Sequence, residues 1–192
     1  FGTGNFTLTD AYISVIEAVK HAAYATKHKP VIEWLDSEDY DTRHKDHKTR
    51  QKELASYDGI IVPGGFGTRG VEGKIQTVRY CRENKIPYLG LCYGMQMAVI
   101  EFARHVVKLK EANTVETDAN TKHPVIDIMP DQKALMEKSD YGGTMRLGAY
   151  HAVLKKDTIA REAYDAARIT ERHRHRYEVN PKYIDRLTKK GI

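Results

Sequence analysis

The amino-acid sequence predicts an α/β fold, in which a mostly parallel central sheet is flanked by helices. Two nearly continuous apolar segments, 58–62 and 86–91, each run into a glycine-rich turn and then into a segment with apolar residues at helical spacing. Strands without polar alternation are typical of parallel sheets, because helices cover both of their faces. The repeated order of strand and helix therefore favours the α/β class.

The remaining elements follow from local patterns. A helix is predicted after Thr9, and strands are predicted at 30–35 and 125–129. The charged stretch 36–54 indicates a solvated excursion or a surface helix, and 130–141 a polar loop. Residues from 145 to 153 alternate as in a half-exposed strand, and further helices are predicted at 158–167 and from Pro181 onward.

Composition excludes several classes of protein. The 192 residues are 41% hydrophobic and 30% charged, which is typical of one globular domain with a single core. No apolar run of ~18 residues and no charged-then-apolar leader occurs, so we expect a cytoplasmic protein that neither spans nor binds a membrane. The 31 basic and 26 acidic residues are mixed along the chain, and the net charge of +5 does not predict nucleic-acid binding.

The chain opens on Phe1-Gly2-Thr3-Gly4, which is typical of the end of a strand and its turn, without the strand itself. We therefore expect a piece of a longer protein that lacks the first strand. The two cysteines, Cys81 and Cys92, form no C-x-x-C pattern and do not predict a disulfide framework.

A candidate nucleophile lies in the segment Gly90–Gln96, where Cys92 stands between two glycines at a predicted strand-to-helix turn. Such a turn pushes the side chain out of the sheet, and small neighbours relieve the crowding. The helix N-terminus that follows is expected to favour the thiolate over the thiol. The alternative is a buried cysteine in an ordinary βα unit, which the flanking glycines disfavour.

The glycine-rich loop Pro63–Gly70 contains a Gly-x-Gly-x-x-Gly pattern between a strand and a helix. It lacks the acidic residue that a dinucleotide site needs and the Gly-Lys-Ser/Thr of a phosphate loop. We interpret it as a source of backbone N–H groups for an oxyanion beside Cys92, with the Tyr93 N–H as second donor. A tight turn without any ligand stays open as an alternative.

Two histidine pairs could in principle bind a metal ion. His44 and His47 are surrounded by lysines, and His173 and His175 alternate with arginines, so positive charge disfavours a cation at both pairs. We therefore predict no metal site, and an anion contact is the better interpretation of the arginines.

Four segments together carry a family resemblance: Pro63–Gly70, Gly90–Gln96, Gly142–Gly148 and Arg172–Asn180. They resemble the glutaminase domain of CTP synthases, which are class I glutamine amidotransferases with a flavodoxin-like sheet. The resemblance implies that L-glutamine is hydrolysed to glutamate and ammonia by a cysteine nucleophile. It also implies a synthetase domain, absent here, that uses ATP and Mg²⁺ to aminate UTP, in a homo-oligomeric full-length protein. No cofactor is implied for the glutaminase domain itself.

The resemblance also implies residue roles. Cys92 matches the nucleophile, and Gly65 with the Tyr93 amide matches the oxyanion hole. The residues that match the substrate-binding positions are Gly65, Tyr93, Gly94, Met95, Gln96, Glu116 and Arg176. Charge complementarity supports two of them, because Glu116 suits the ammonium of glutamine and Arg176 its carboxylate.

The chain departs from the family at two points. Tyr93 replaces the usual Leu, which keeps the backbone donor and changes the wall of the pocket. The His-x-Glu pair that completes the family's triad does not occur in these 192 residues, so we expect a C-terminal truncation and weak activity from this piece alone. His175 is the nearest substitute in sequence, but it belongs to a different motif.

Two other functions remain open on the sequence. The first is a catalytically degenerate glutaminase fold that acts as a regulatory or binding module, which the missing base would permit. The second is another cysteine hydrolase of the same fold, such as a protease or a glutamylpeptide hydrolase.

Overall fold

A computed structural model describes residues 9–129 and 146–192, and side chains within 11–129 and 148–192. The chain divides into two compact units, of which unit 1 comprises residues 1–127 and 179–192 and unit 2 comprises residues 128–178. The predicted loop 130–141 and the motif residues 142–145 lie outside the described residues, as does the predicted strand end at 1–4. That the chain is one domain shortened at both ends stays a prediction.

Most helices and four strands lie close to where the sequence predicts them, whereas the strands at 112–114, 168–175 and 177–179 were not predicted. The α-helices are α1 (Ile13–Ala25), α2 (His47–Glu53), α3 (Val71–Asn84), α4 (Tyr93–His105), α5 (Ile159–Tyr164) and α6 (Pro181–Thr188). The strands are β1 (Ile60–Val62), β2 (Tyr88–Gly90), β3 (Ala112–Thr114), β4 (His123–Ile128), β5 (Arg146–Val153), β6 (Arg168–His175) and β7 (Tyr177–Val179). The predicted α/β class is confirmed.

In unit 1, β1 and β2 pair in parallel with Ile60 opposite Tyr88, so their carboxyl ends meet at one edge. Strand β3 pairs in parallel with β4, and Ala112 is opposite His123. The N–H of Leu91 donates to the carbonyl of Val62 at 2.9 Å, which joins the two segments just beyond their strands. This edge is where both glycine-containing motifs lie.

Helix α3 packs its apolar face into the core of unit 1. Val71, Ile75, Val78 and Cys81 recur at helical spacing, and all four are buried. By contrast, α1 buries no residue completely, although Val15, Ile16, Val19 and Ala23, which recur at helical spacing, are half-buried. Among the described residues, no helix has the length and apolar character needed to cross a membrane.

One sequence prediction for unit 1 is wrong, and another is confirmed only in part, since the surface helix expected within 36–54 is present as α2 with no buried residue. Among the described residues, segment 30–35 joins no ladder and ends on a one-residue bridge at Asp36, and Val31 is 84% exposed. An apolar segment becomes a strand only when a neighbour supplies its hydrogen bonds, which a local pattern cannot report. The charged stretch that follows is also not wholly solvated, because Ser37, Tyr40 and Leu54 are buried.

Unit 2 is built on the antiparallel pair β5 and β6, in which Arg146 is opposite His175 and Val153 is opposite Arg168. Thr158 caps α5 by accepting the N–H of Arg161 at 3.2 Å. The predicted strand and the helix after it are therefore confirmed, but the alternating positions Ala149, His151 and Val153 are exposed and form no buried face.

Candidate active site

The predicted strand-to-helix turn is present at Cys92. Strand β2 ends at Gly90 and α4 begins at Tyr93, and between them Cys92 has φ 50° and ψ −102°. Side-chain-bearing residues rarely adopt positive φ, and such strained backbone is concentrated at functional sites. The turn leaves the thiol exposed.

The glycines on either side of Cys92 are required by close packing. A Cβ at Gly94 would lie 2.0 Å from the carbonyl oxygen of Val62, and one at Gly90 would lie 2.6 Å from the carbonyl carbon of Gly94. Neither distance allows a side chain, so the turn packs backbone to backbone against the end of β1.

The thiol of Cys92 has a pKa above its ordinary value, although the expectation from the helix N-terminus was the opposite. Partial burial raises this pKa most, because nearby protein atoms displace water even though the residue reaches solvent. A hydrogen bond from the Tyr93 backbone lowers the pKa, and the negative charge of Glu116 raises it further. The contribution of the helix terminus is therefore outweighed.

The glycine loop lies beside Cys92, as the sequence predicts. A Cβ added at Gly64 would lie 3.5 Å from the Cβ of Cys92, so this glycine, which the sequence analysis did not single out, is a neighbour of Cys92. Gly65 is exposed, and a Cβ there would lie 3.7 Å from Cδ1 of Tyr93. The loop can thus present backbone groups to an oxygen on the carbon that bonds to the sulfur.

Glu116 reaches the same loop from a position distant in sequence. Its Oε1 accepts the N–H of Gly67 at 2.8 Å, and the carbonyl of Gly67 accepts the hydroxyl of Tyr93. Glu116 also lies close enough to raise the pKa values of both Cys92 and Tyr93. The structure therefore brings Glu116 close to the strand-to-helix turn at Cys92, which no local sequence pattern could indicate.

The first turn of α4 supplies two more of the predicted residues. Gln96 is 4% exposed, and its backbone N–H donates to the carbonyl of Cys92 at 3.1 Å. Met95 is 40% exposed. The two side chains thus leave the same turn in different environments, one in the core and one toward solvent.

Arg176 lies in unit 2, so its surroundings are described within that unit. It is half-buried, and its carbonyl accepts the N–H of Met129 at 3.3 Å. His173 and His175 bond to each other through Nδ1 and Nε2 at 2.9 Å, and Nδ1 of His175 contacts the carbonyl of Tyr177 at 3.0 Å. Within the described ranges, no three His, Cys, Asp or Glu side chains are grouped so that they could hold a metal ion.

A buried lysine beside the loop was missed by the sequence analysis. Lys74 is 3% exposed, and its ammonium lies 3.3 Å from Oγ of Ser37 and 3.4 Å from the carbonyl of Arg69. Burial lowers the pKa of Lys74 to about 8. The sequence does contain a signal for this burial, because Lys74 stands three residues after Val71 and therefore lies on the apolar face of α3.

Comparison with known proteins places these features in a family. The family profile described as glutamine amidotransferase class-I matches residues 7–191. A CTP synthase of Methanococcoides burtonii is 53% identical over 190 residues, which cover 98% of this chain and 34% of that protein. A CTP synthase of Caldanaerobacter subterraneus is 55% identical over 185 residues, covering 96% of this chain and 33% of that protein. The chain therefore spans about one third of the length of these relatives.

A solved structure is similar over almost the whole chain. It is described as the glutaminase domain of Trypanosoma brucei CTPS with bound acivicin, and it is 38% identical with a TM-score of 0.88. The match covers 98% of this chain and 70% of that one. The resemblance that the four sequence segments indicate is thereby confirmed: the chain belongs to the class-I glutamine amidotransferase family.

Proposed function

We propose that this chain is the glutaminase half of a CTP synthase and that Cys92 is its nucleophile. The observation that carries the proposal is the exposed thiol of Cys92, which lies in a strained turn beside the glycine loop. The high identity to relatives named CTP synthase supports the same conclusion.

The proposed reaction passes through a thioester. The thiolate of Cys92 attacks the carboxamide carbon of glutamine, and the charge that develops on oxygen is stabilised by the N–H groups of Gly65 and Tyr93. The C–N bond then breaks, and the nitrogen takes up the proton that the Cys92 thiol released and leaves as ammonia. Water adds to the thioester, the C–S bond breaks, and glutamate and the free thiol are formed.

Substrate recognition is assigned to charged and polar groups. Oε1 of Glu116 accepts the Gly67 N–H, and the carboxylate as a whole has enough lone pairs to bind the ammonium of glutamine as well. Arg176 is proposed to bind the substrate carboxylate, since guanidinium and carboxylate pair through two parallel hydrogen bonds. Gly94, Met95 and Gln96 are proposed to complete the pocket.

The ammonia is proposed to serve a synthetase domain of the same polypeptide, in which ATP and Mg²⁺ support the amination of UTP. We further propose that the full-length protein is a cytoplasmic homo-oligomer. The glutaminase domain would then need no cofactor of its own, since its chemistry requires only the thiol, water and a base.

The test replaces Cys92 by Ala in the full-length protein and measures CTP formation with each nitrogen donor. We expect a loss of at least ~10⁴-fold with glutamine and little change with added ammonia, because only the first route needs the nucleophile. Cys81→Ala is the matched control, since Cys81 is buried in α3 and should leave both activities intact. Loss of both activities in a folded Cys92 variant would contradict the proposal.

The same measurements address the two alternatives. A regulatory module without catalysis predicts that the unsubstituted protein forms no CTP from glutamine. A peptide hydrolase predicts release of peptide fragments and no turnover of free glutamine.

A further inference from the structure

The side chain of Tyr93 connects the nucleophile to the glycine loop. Tyr93 is 1% exposed, and its hydroxyl donates to the carbonyl of Gly67. Because Tyr93 directly follows Cys92, this hydrogen bond joins the start of α4 to the middle of the loop. The Leu that the family usually has at this position could not make it, since Leu has no hydrogen-bond donor.

Gly67 is held on its other side as well. Its N–H donates to Oε1 of Glu116 at 2.8 Å, and its φ of +81° lies in the left-handed region. Both backbone polar groups of this residue therefore have a side-chain partner, which fixes the orientation of the peptide planes around it. Gly65, the proposed oxyanion donor, is only two residues away.

The environment of the phenol makes this hydrogen bond costly to lose. Lys74 lies with its ammonium 5.8 Å from the centre of the Tyr93 ring, and it also donates to the carbonyl of Arg69 in the same loop. Burial raises the pKa of the Tyr93 phenol, so the hydroxyl keeps its proton as a donor over the working pH range. A buried hydroxyl without an acceptor is unfavourable, so the phenol and the loop stabilise each other.

We infer that the Tyr93 hydroxyl is a positioning group for the oxyanion hole. By holding the Gly67 carbonyl, it keeps the loop in the orientation that directs the Gly65 N–H toward the carboxamide oxygen, which becomes negatively charged when Cys92 attacks the neighbouring carbon. An oxyanion donor accelerates a reaction only if it is oriented beforehand, because reorganisation in the transition state costs free energy. This inference rests on the proposed glutaminase function.

The test is Tyr93→Phe in the full-length protein, which removes only the hydroxyl and keeps the ring over Lys74. We expect kcat with glutamine to fall about 5- to 20-fold, the range for loss of one buried hydrogen bond. KM for glutamine should change less than about 2-fold, because the oxyanion exists only in the transition state and Glu116 keeps its place. CTP formation from ammonia should be unchanged.

Two readouts separate positioning from a general loss of structure. Amide hydrogen exchange at Gly65 and Gly67 should become faster in Tyr93→Phe, while exchange in the core of α3 stays as it is. Tyr57→Phe is the control for a lost phenol hydroxyl elsewhere in unit 1. It removes a 2.6 Å hydrogen bond to Glu33 and should leave kcat and loop exchange unchanged.

The outcomes are distinguishable. Wild-type kcat for Tyr93→Phe, or a raised KM with unchanged kcat, would overturn the inference while leaving the glutaminase proposal standing. A Cys92→Ala protein that still forms CTP from glutamine would overturn the proposed function, whatever Tyr93→Phe does.

Discussion

Cys81 and Cys92 occupy opposite environments in the same unit, although both lie on or next to helices that pack on the parallel strands. Cys81 lies within the regular helix α3, is completely buried, and burial raises its pKa to about 11. Cys92 lies in a strained turn, is exposed, and is next to the glycine loop. The comparison teaches that the backbone around a thiol, and not the residue type, decides whether it can meet a substrate.

The two thiols also differ in how their pKa values are controlled. Burial alone raises the pKa of Cys81. At Cys92, burial and the charge of Glu116 raise the pKa, while the Tyr93 backbone lowers it. Opposing contributions of this kind make the reactivity of Cys92 adjustable by single substitutions, whereas that of Cys81 depends on opening of the core.

The largest difference is expected in alkylation of the full-length protein with iodoacetamide near pH 8. Cys92 should react at least ~10³-fold faster than Cys81, because Cys81 becomes accessible only when α3 opens locally. Peptide mass spectrometry over time gives both rates, with Cys92→Ser as the control for assignment. Similar rates at the two thiols would contradict the inference that Cys92 is accessible to reagents and Cys81 is not.

The strand-to-helix turn at Cys92 should not tolerate the addition of a methyl group at Gly94. Gly94→Ala places a Cβ 2.0 Å from the carbonyl oxygen of Val62, and we expect a loss of about 2–4 kcal/mol in the free energy of unfolding. Gly59→Ala is the matched control, since its nearest neighbour lies at 3.5 Å, and it should cost less than about 1 kcal/mol. Thermal unfolding measures the stability of both variants, and equal stabilities would contradict the close packing of Gly94 against Val62.

Lys74 lies between the surroundings of the two cysteines. It belongs to α3, the helix that contains Cys81, and its ammonium faces the ring of Tyr93, the residue after Cys92. Its pKa is lowered to about 8, so between pH 8 and 10.5 the unfolded chain binds more protons than the folded one. Stability of the wild type relative to Lys74→Met should therefore rise with pH, by about 1–2 kcal/mol from pH 7 to pH 10. Melting temperatures of the two proteins across this range test the sign, and a constant difference would show that the ammonium is well solvated.

The smallest effect concerns the charge of Glu116. Glu116→Gln removes the negative charge and keeps an oxygen that can accept the Gly67 N–H, so the pKa of Cys92 should fall. Alkylation of Cys92 below its pKa should then become about 2- to 5-fold faster, while Cys81 is unaffected. The pH dependence of the rate shows the shift, and Glu111→Gln, an exposed carboxylate paired with Lys122, is the control. A slower reaction of the Glu116 variant would contradict the electrostatic account of the site.

Local sequence patterns determined the parts of this protein that depend on residues near one another in the chain. Helical spacing placed Val71, Ile75, Val78 and Cys81 on a buried face, and all four are buried. Glycines on either side of Cys92 predicted the strand-to-helix turn, because only a residue without a side chain permits such close backbone packing. Periodicity and steric demand are properties of a short segment, so they can be recognised without the fold.

Tertiary structure alone decided the features that depend on distant residues. The hydrogen bond from Gly67 to Glu116 joins positions 49 residues apart, and the burial of Ser37 follows from contact with Gly70 and Gly73. In the part of the chain that the structure describes, segment 30–35 pairs with no strand despite its apolar pattern. The pKa of Cys92 belongs to the same group, since the helix terminus predicted a lower value and the surroundings raise it. Hydrogen-bond partners, burial and electrostatic fields are sums over neighbours in space, and only the folded chain defines who those neighbours are.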